Sequence, residues 1–149
     1  MMLKPLMAAF AGFVLAAATG CCTTTYTVSA SATSPDAALL ARDVASDVRG
    51  RLAQRGYAVC ANDAARGSHV TRVNLSLDRR ETARLDVWRT YEGKATARVV
   101  SRGTVLGERT FSALGPRADN EPDAQLALRE QLVAQIADWV LTVLPPPES

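Results

Sequence analysis

Apolar and polar residues alternate along much of this chain, and two stretches instead carry the three-to-four-residue spacing of amphipathic helices. Tyr26, Val28 and Ala30 alternate with Thr27, Ser29 and Ser31, which predicts a strand. Ser34-Pro35-Asp36 then opens a helix, with a hydroxyl cap, a proline in the first turn and an acid at the positive end of the dipole. Ala37, Leu40, Val44, Val48 and Leu52 form its apolar stripe, and Gly56 ends it with Arg51 and Arg55 close by. Residues 57–60 read as a short strand and 61–68 as a polar loop. Thr71, Val73, Leu75 and Leu77 alternate with Arg72, Asn74, Ser76 and Asp78, a half-buried strand. Arg79-Arg80-Glu81 and Glu92-Gly93 read as turns around a strand that carries Ala83, Leu85 and Val87. Ala95, Ala97 and Val99 make the next strand, Arg102-Gly103 reverses the chain, and 105–111 returns. In that last strand no single face stays apolar, and Gly107 suggests a bulge.

Asn120-Glu121-Pro122-Asp123 opens a second helix by the same cap-and-proline chemistry. Its stripe is Leu128, Leu132, Ile136, Trp139 and Val143, broadened by Val133, Val140 and Leu144. Pro145-Pro146-Pro147 stops it and is expected to leave a frayed end. Two amphipathic helices cannot bury their stripes alone. The expected fold is therefore α+β, a two-layer sandwich with both helices on one face of a mostly antiparallel sheet of four to five strands, in the order β-α-β-β-β-β-α.

The start of the chain follows a different logic. Lys4 precedes an apolar run over residues 6–18 that only Gly12 interrupts, and Ala18-Thr19-Gly20 puts small side chains before Cys21. A run of that length suits an export signal better than a spanning helix, which needs about 20 apolar residues. The pattern resembles the lipobox of bacterial lipoproteins, with Ala18 where an aliphatic residue is usual. The resemblance implies cleavage before Cys21 and lipidation of Cys21, with multiple acyl chains such as palmitate giving a stable membrane anchor. Residues 1–20 are thus expected to be a signal peptide, 21–24 a lipidated linker, 25–144 a single α+β domain and 145–149 a proline-rich tail. Cys22 follows the lipid site where enterobacterial-type sorting would place aspartate for inner-membrane retention, so the expected address is the outer membrane, facing the periplasm.

Composition narrows function mainly by exclusion. Of the residues, 48% are hydrophobic and 21% charged, which argues for a folded chain, and a net charge of +2 is too balanced to suggest nucleic acid. His69 is the only histidine, and the cysteines lack zinc-ligand spacing, so no metal or other cofactor is expected. No nucleophile motif or phosphate-binding glycine loop is present, and the expectation is a protein that is not an enzyme. Cys22 and Cys60 are expected to remain unlinked, because a parallel crossover would put them near opposite strand ends.

One surface invites a ligand. Alternation puts Arg72, Asn74, Arg84, Trp88 and Arg98 on the sheet face away from the helices. Guanidinium groups around an aromatic ring suit an anionic amphipathic molecule such as a lipid or glycolipid. The plainer reading of the same face is a solvated sheet with cross-strand pairs to Asp78, Asp86 and Glu108, which explains Trp88 least well. The layout, including a helix that ends in Arg-Gly-Tyr-Ala-Val (residues 55–59), resembles the YajG-type and lipopolysaccharide-assembly lipoproteins. The latter carry an aromatic segment just after the lipid cysteine, which this chain lacks. The resemblance implies a membrane-tethered accessory component of cell-envelope assembly or transport with an envelope protein as partner; direct binding of an anionic lipid is the alternative.

Overall fold

Period-two patterning and β-branched residues carry the first strand, β1 (Thr25–Ala32), into the sheet with its even-numbered residues inward. The computed structural model describes residues 24–60, 70–85, 88–115 and 119–147, with 83–85, 88 and 89 described in backbone alone. Cys21 and Cys22 lie outside the described residues. After β1 come a single 3-10 turn (Pro35–Ala37) and helix α1 (Ala38–Gln54), then β2 (Val70–Leu85), β3 (Trp88–Ser101), β4 (Thr104–Leu114) and helix α2 (Glu121–Val143).

The four strands form one sheet in the order β1-β2-β3-β4, parallel between β1 and β2 and antiparallel elsewhere. Helix α1 covers β1 and β2, and α2 covers β3 and β4, all on one face. The result is the expected two-layer α+β fold. Both predicted stripes are buried: Leu40, Val44, Val48 and Leu52 from α1 and Leu128, Leu132 and Ile136 from α2 are fully enclosed. They meet Val28, Val73, Leu77, Ala95, Ala97 and Val99 from the sheet. Tyr26 and Tyr57 pack edge to face at 5.0 Å, and Phe111 meets Trp139 in the same way at 5.8 Å.

Four local expectations change. First, Arg79-Arg80-Glu81 and Glu92-Gly93 are not turns. They face one another across an uninterrupted β2–β3 ladder, with Arg79 opposite Gly93 and Arg80 opposite Glu92. Charge density suggested a loop, but these charges are satisfied in place. Arg80 pairs with Glu92 at 2.8 Å, and Arg79 stacks over Tyr91 and reaches Glu121 and Gln125 at 2.8 and 2.6 Å. Gly93 serves packing, because a Cβ there would lie 3.0 Å from the Leu128 side chain.

Second, residues 57–60 contribute a single parallel bridge, Tyr26 with Val59, on the side of β1 away from β2. The Tyr26 N–H donates to Ala58 O, and the Cys60 N–H donates to Tyr26 O, both at 2.9 Å. Third, Ser34 does not cap its helix; its hydroxyl donates to Asp78 of β2. Asn120 does cap α2, accepting from the Asp123 N–H at 2.9 Å. Fourth, the proline tail folds back. Tyr57 Oη donates to Pro145 O at 2.8 Å, and Pro147 lies 3.6 Å from where a Gly56 Cβ would be.

In β4 the expected irregularity appears as a register shift opposite Val99 and Val100. Gly107 beside it leaves room for α2, since a Cβ there would meet Trp139 at 3.2 Å.

Candidate functional site

Even-numbered positions of β2 and β3 form the sheet face away from the helices. Arg72 and Asn74 of β2 lie there, exposed, and Asn74 stands opposite Arg98. Arg98 forms an ion pair with Glu108 of β4. Thr96 and Thr110 share a hydrogen bond at 3.1 Å, and Ser29 donates to Asn74 at 3.1 Å. Further along, Lys94 and Arg80 flank Glu92 at 4.0 and 2.8 Å. Most charge on this face is therefore matched across strands. Arg72 is the exception, with no carboxylate partner among the described residues.

The four candidate ligand residues do not gather at one point. Arg72 and Arg98 are diagonal neighbours near the root of the hairpin. Trp88 begins β3, ten residues before Arg98, which is roughly 33 Å along the strand at about 3.3 Å per residue. Between Glu81 and Ala83 the β2 register shifts, so Arg84 stands opposite Arg89, an odd-numbered position, while Arg72 stands opposite Val100. The side chains of Arg84 and Trp88 lie outside the described ones.

Chain direction gives the molecule two distinct ends. At one end β1 begins, with Thr25 opposite Val70 and Thr71 opposite Ser101. The 102–103 turn lies there, with positive φ at Arg102 (51°) and Gly103 (77°), as does the end of α1. Three exposed arginines mark this end: Arg55, Arg72 and Arg102. At the opposite end the β2–β3 hairpin continues past the last β1 pair, Ala32 with Leu77, and the N-termini of both helices stand beside it.

That second end holds a shallow groove of about 430 Å³ lined by Leu39, Asp43, Glu121, Pro122, Leu126 and Arg129. Leu39 and Leu126 are 56% and 51% exposed. Neither belongs to a predicted stripe, and that was the available signal: a leucine off the stripe of an amphipathic helix has no core to enter. Asp36, Asp78, Glu81, Glu92, Glu121 and Asp123 lie toward this end. Among the described side chains Arg79 pairs with Glu121, Arg80 and Lys94 with Glu92, and Arg42 with Asp43, and Arg84 and Arg89 also lie on this hairpin.

Between the helices Arg129 of α2 grips Asp47 of α1 in a bidentate pair of 2.6 and 2.8 Å and reaches Asp43 at 3.5 Å. The hydrogen bond from Arg129 holds the Asp47 carboxyl below its ordinary range against the opposing effect of burial, and the Arg129 and Arg51 charges add to the lowering. Beside the clamp runs a groove of about 500 Å³ whose lining mixes Arg51, Arg55, Glu130 and Asp138 with Val133 and Leu141. Among the described residues no three His, Cys, Asp or Glu side chains gather as a metal site requires, and no helix is long and apolar enough to cross a membrane. Cys60 is half-buried and has no disulfide partner among the described residues.

No protein-family model matches the chain, and no curated sequence does. Solved structures do resemble it. A minor lipoprotein from Acinetobacter baumannii aligns with a TM-score of 0.58 at 12% identity, over 85% of this chain and 98% of its own. Lipoprotein GNA1162 from Neisseria meningitidis aligns at 0.54 and 14%, over 80% and 99%. The hypothetical protein CT253 from Chlamydia trachomatis gives 0.54 and 10%, over 80% and 99%. The fold is shared. At these identities the likeness speaks for the backbone arrangement alone.

Proposed function

We propose that this protein is a lipid-anchored, non-catalytic accessory component of the cell envelope, held to the outer membrane through Cys21 and facing the periplasm. Its partner is an envelope protein that docks at the end remote from the anchor. The observation that carries this reading is the separation of the two ends. Thr25 opens β1 only four residues after Cys21, so an anchored chain can stand no more than about 14 Å from its lipid. The exposed leucines Leu39 and Leu126 lie at the other end, beside the projecting hairpin. A rim of carboxylates around exposed apolar side chains suits a partner segment that offers basic and apolar residues.

The sequence before Cys21 and the fold shared with two solved lipoproteins support the anchor. Direct binding of an anionic lipid on the sheet face receives less support, since Arg98 and Arg80 are already paired with Glu108 and Glu92. Metabolic palmitate labelling tests the anchor. The wild-type chain should take up label and the Cys21→Ser chain should not; label persisting in the variant would remove the basis of the proposal. Density-gradient fractionation tests the address, with co-migration with outer-membrane markers expected.

A further inference from the structure

We infer that the end of the domain where β1 begins is a membrane-docking surface, with Arg55, Arg72 and Arg102 resting on anionic lipid headgroups. The inference rests on the anchor reading, and it adds an orientation and a second binding contribution from the folded domain.

Topology brings the three arginines together. Arg72 follows Thr71, which stands opposite Ser101, and Ser101 precedes the turn that carries Arg102. Arg55 caps α1 immediately before residues 57–60, which bridge back to Tyr26 in the second position of β1. All three side chains are exposed, and none has an ion pair among the described residues. The carboxylates that come nearest this end are otherwise engaged or set back. Glu108 is held by Arg98, and Asp138 lines the groove between the helices with Arg51 and Arg55.

The opposite end carries both signs, with Asp36, Asp78, Glu81, Glu92, Glu121 and Asp123 alongside Arg42, Arg79, Arg80, Arg84, Arg89 and Lys94. A domain tethered at an end that carries unpaired arginines is oriented by a negatively charged bilayer. Attraction and tether pull the same end down. A bilayer surface fits these arginines better than a pocket-bound anion, because they project from a turn, a helix end and a strand rather than from one cavity. A lipid chain plus a basic patch is also the combination that makes peripheral attachment stable.

Hydrogen exchange of the mature lipidated protein, reconstituted into vesicles, tests the inference. One set of vesicles is pure phosphatidylcholine, and the other holds about one-third phosphatidylglycerol. Amides of residues 55–60 and 101–104 should exchange more slowly in the anionic vesicles, whereas amides of 78–82 should not change. The Arg55→Glu/Arg72→Glu/Arg102→Glu chain should lose that protection while it keeps its palmitate and its thermal transition. Each arginine near an anionic surface strengthens contact by about fivefold, so the protection should also fade as salt shortens the Debye length. Equal exchange in the two lipids, or protection that survives the triple substitution, overturns the docking surface. Absence of palmitate from the wild-type chain overturns the anchor reading beneath it, so the two failures are distinguishable.

Discussion

The two ends of this domain are built by different means. At the β1 end several ties hold the start of β1. Tyr26 is bridged by residues 58–60, Arg49 donates twice to Val28 O at 2.8 and 3.0 Å, and the proline tail returns to Tyr57. At the far end the hairpin runs beyond β1, and it is tied down by the first turns of α2 through Leu128 on Gly93 and Arg79 on Glu121 and Gln125. The β1 end is held by the 58–60 bridge and by side chains that reach backbone carbonyls, the far end by the β2–β3 ladder and by side chains that reach α2. In such a scaffold the order of the projecting hairpin depends on its contacts with α2.

Loss of Leu128 tests the far end most severely. Leu128→Ala empties a fully buried site over Gly93 and should cost about 3 kcal/mol in urea unfolding. Arg79→Ala should come next, at about 2 kcal/mol, since it removes a mostly buried guanidinium with two hydrogen bonds and a ring contact. Hydrogen exchange should then rise in residues 78–82 more than in 70–75. Uniform loss of protection would mean that the two ends are not separately held.

How much of this was legible in the sequence depends on how far each signal is local. The helical stripes and the antiparallel pattern could be read because burial repeats at a fixed period. The hairpin arm was misread because Arg79-Arg80-Glu81 and Gly93 look like turn residues in isolation. Their partners, Glu92, Tyr91, Glu121 and Leu128, become apparent only once the register is known. The same holds for Asp43 and Asp47, whose partner Arg129 stands more than 80 positions away in the chain. Within the candidate sheet face, Arg72 and Arg98 are brought close, whereas the register shift before Ala83 is invisible to a period-two count.

At the β1 end effects should be smaller, because each tie is one of several. Tyr57→Phe deletes only the hydrogen bond to Pro145 O and should cost about 1 kcal/mol. A change above twice that would show that the tail, not the 58–60 bridge, closes this end. The Asp47–Arg129 clamp joins the two helices at partial exposure and should contribute less than about 1 kcal/mol. Its pH dependence has a definite sign. The folded Asp47 pKa is lowered, so the contribution is complete above the unfolded aspartate value of about 3.9 and is lost as pH falls through the depressed folded value. Wild-type and Asp47→Asn stabilities should therefore differ at neutral pH and converge in acid. A gap that widened as pH fell would contradict the clamp.

The contrast between the ends reaches function through one measurement, site-specific photo-crosslinking in living cells. A photoreactive residue replaces either Leu126 at the far end or Arg72 at the β1 end of the full chain. The account predicts a discrete protein adduct from Leu126 and none from Arg72. An adduct confined to Arg72, or no adduct at Leu126, would contradict the claim that the partner meets this domain at the end remote from its anchor.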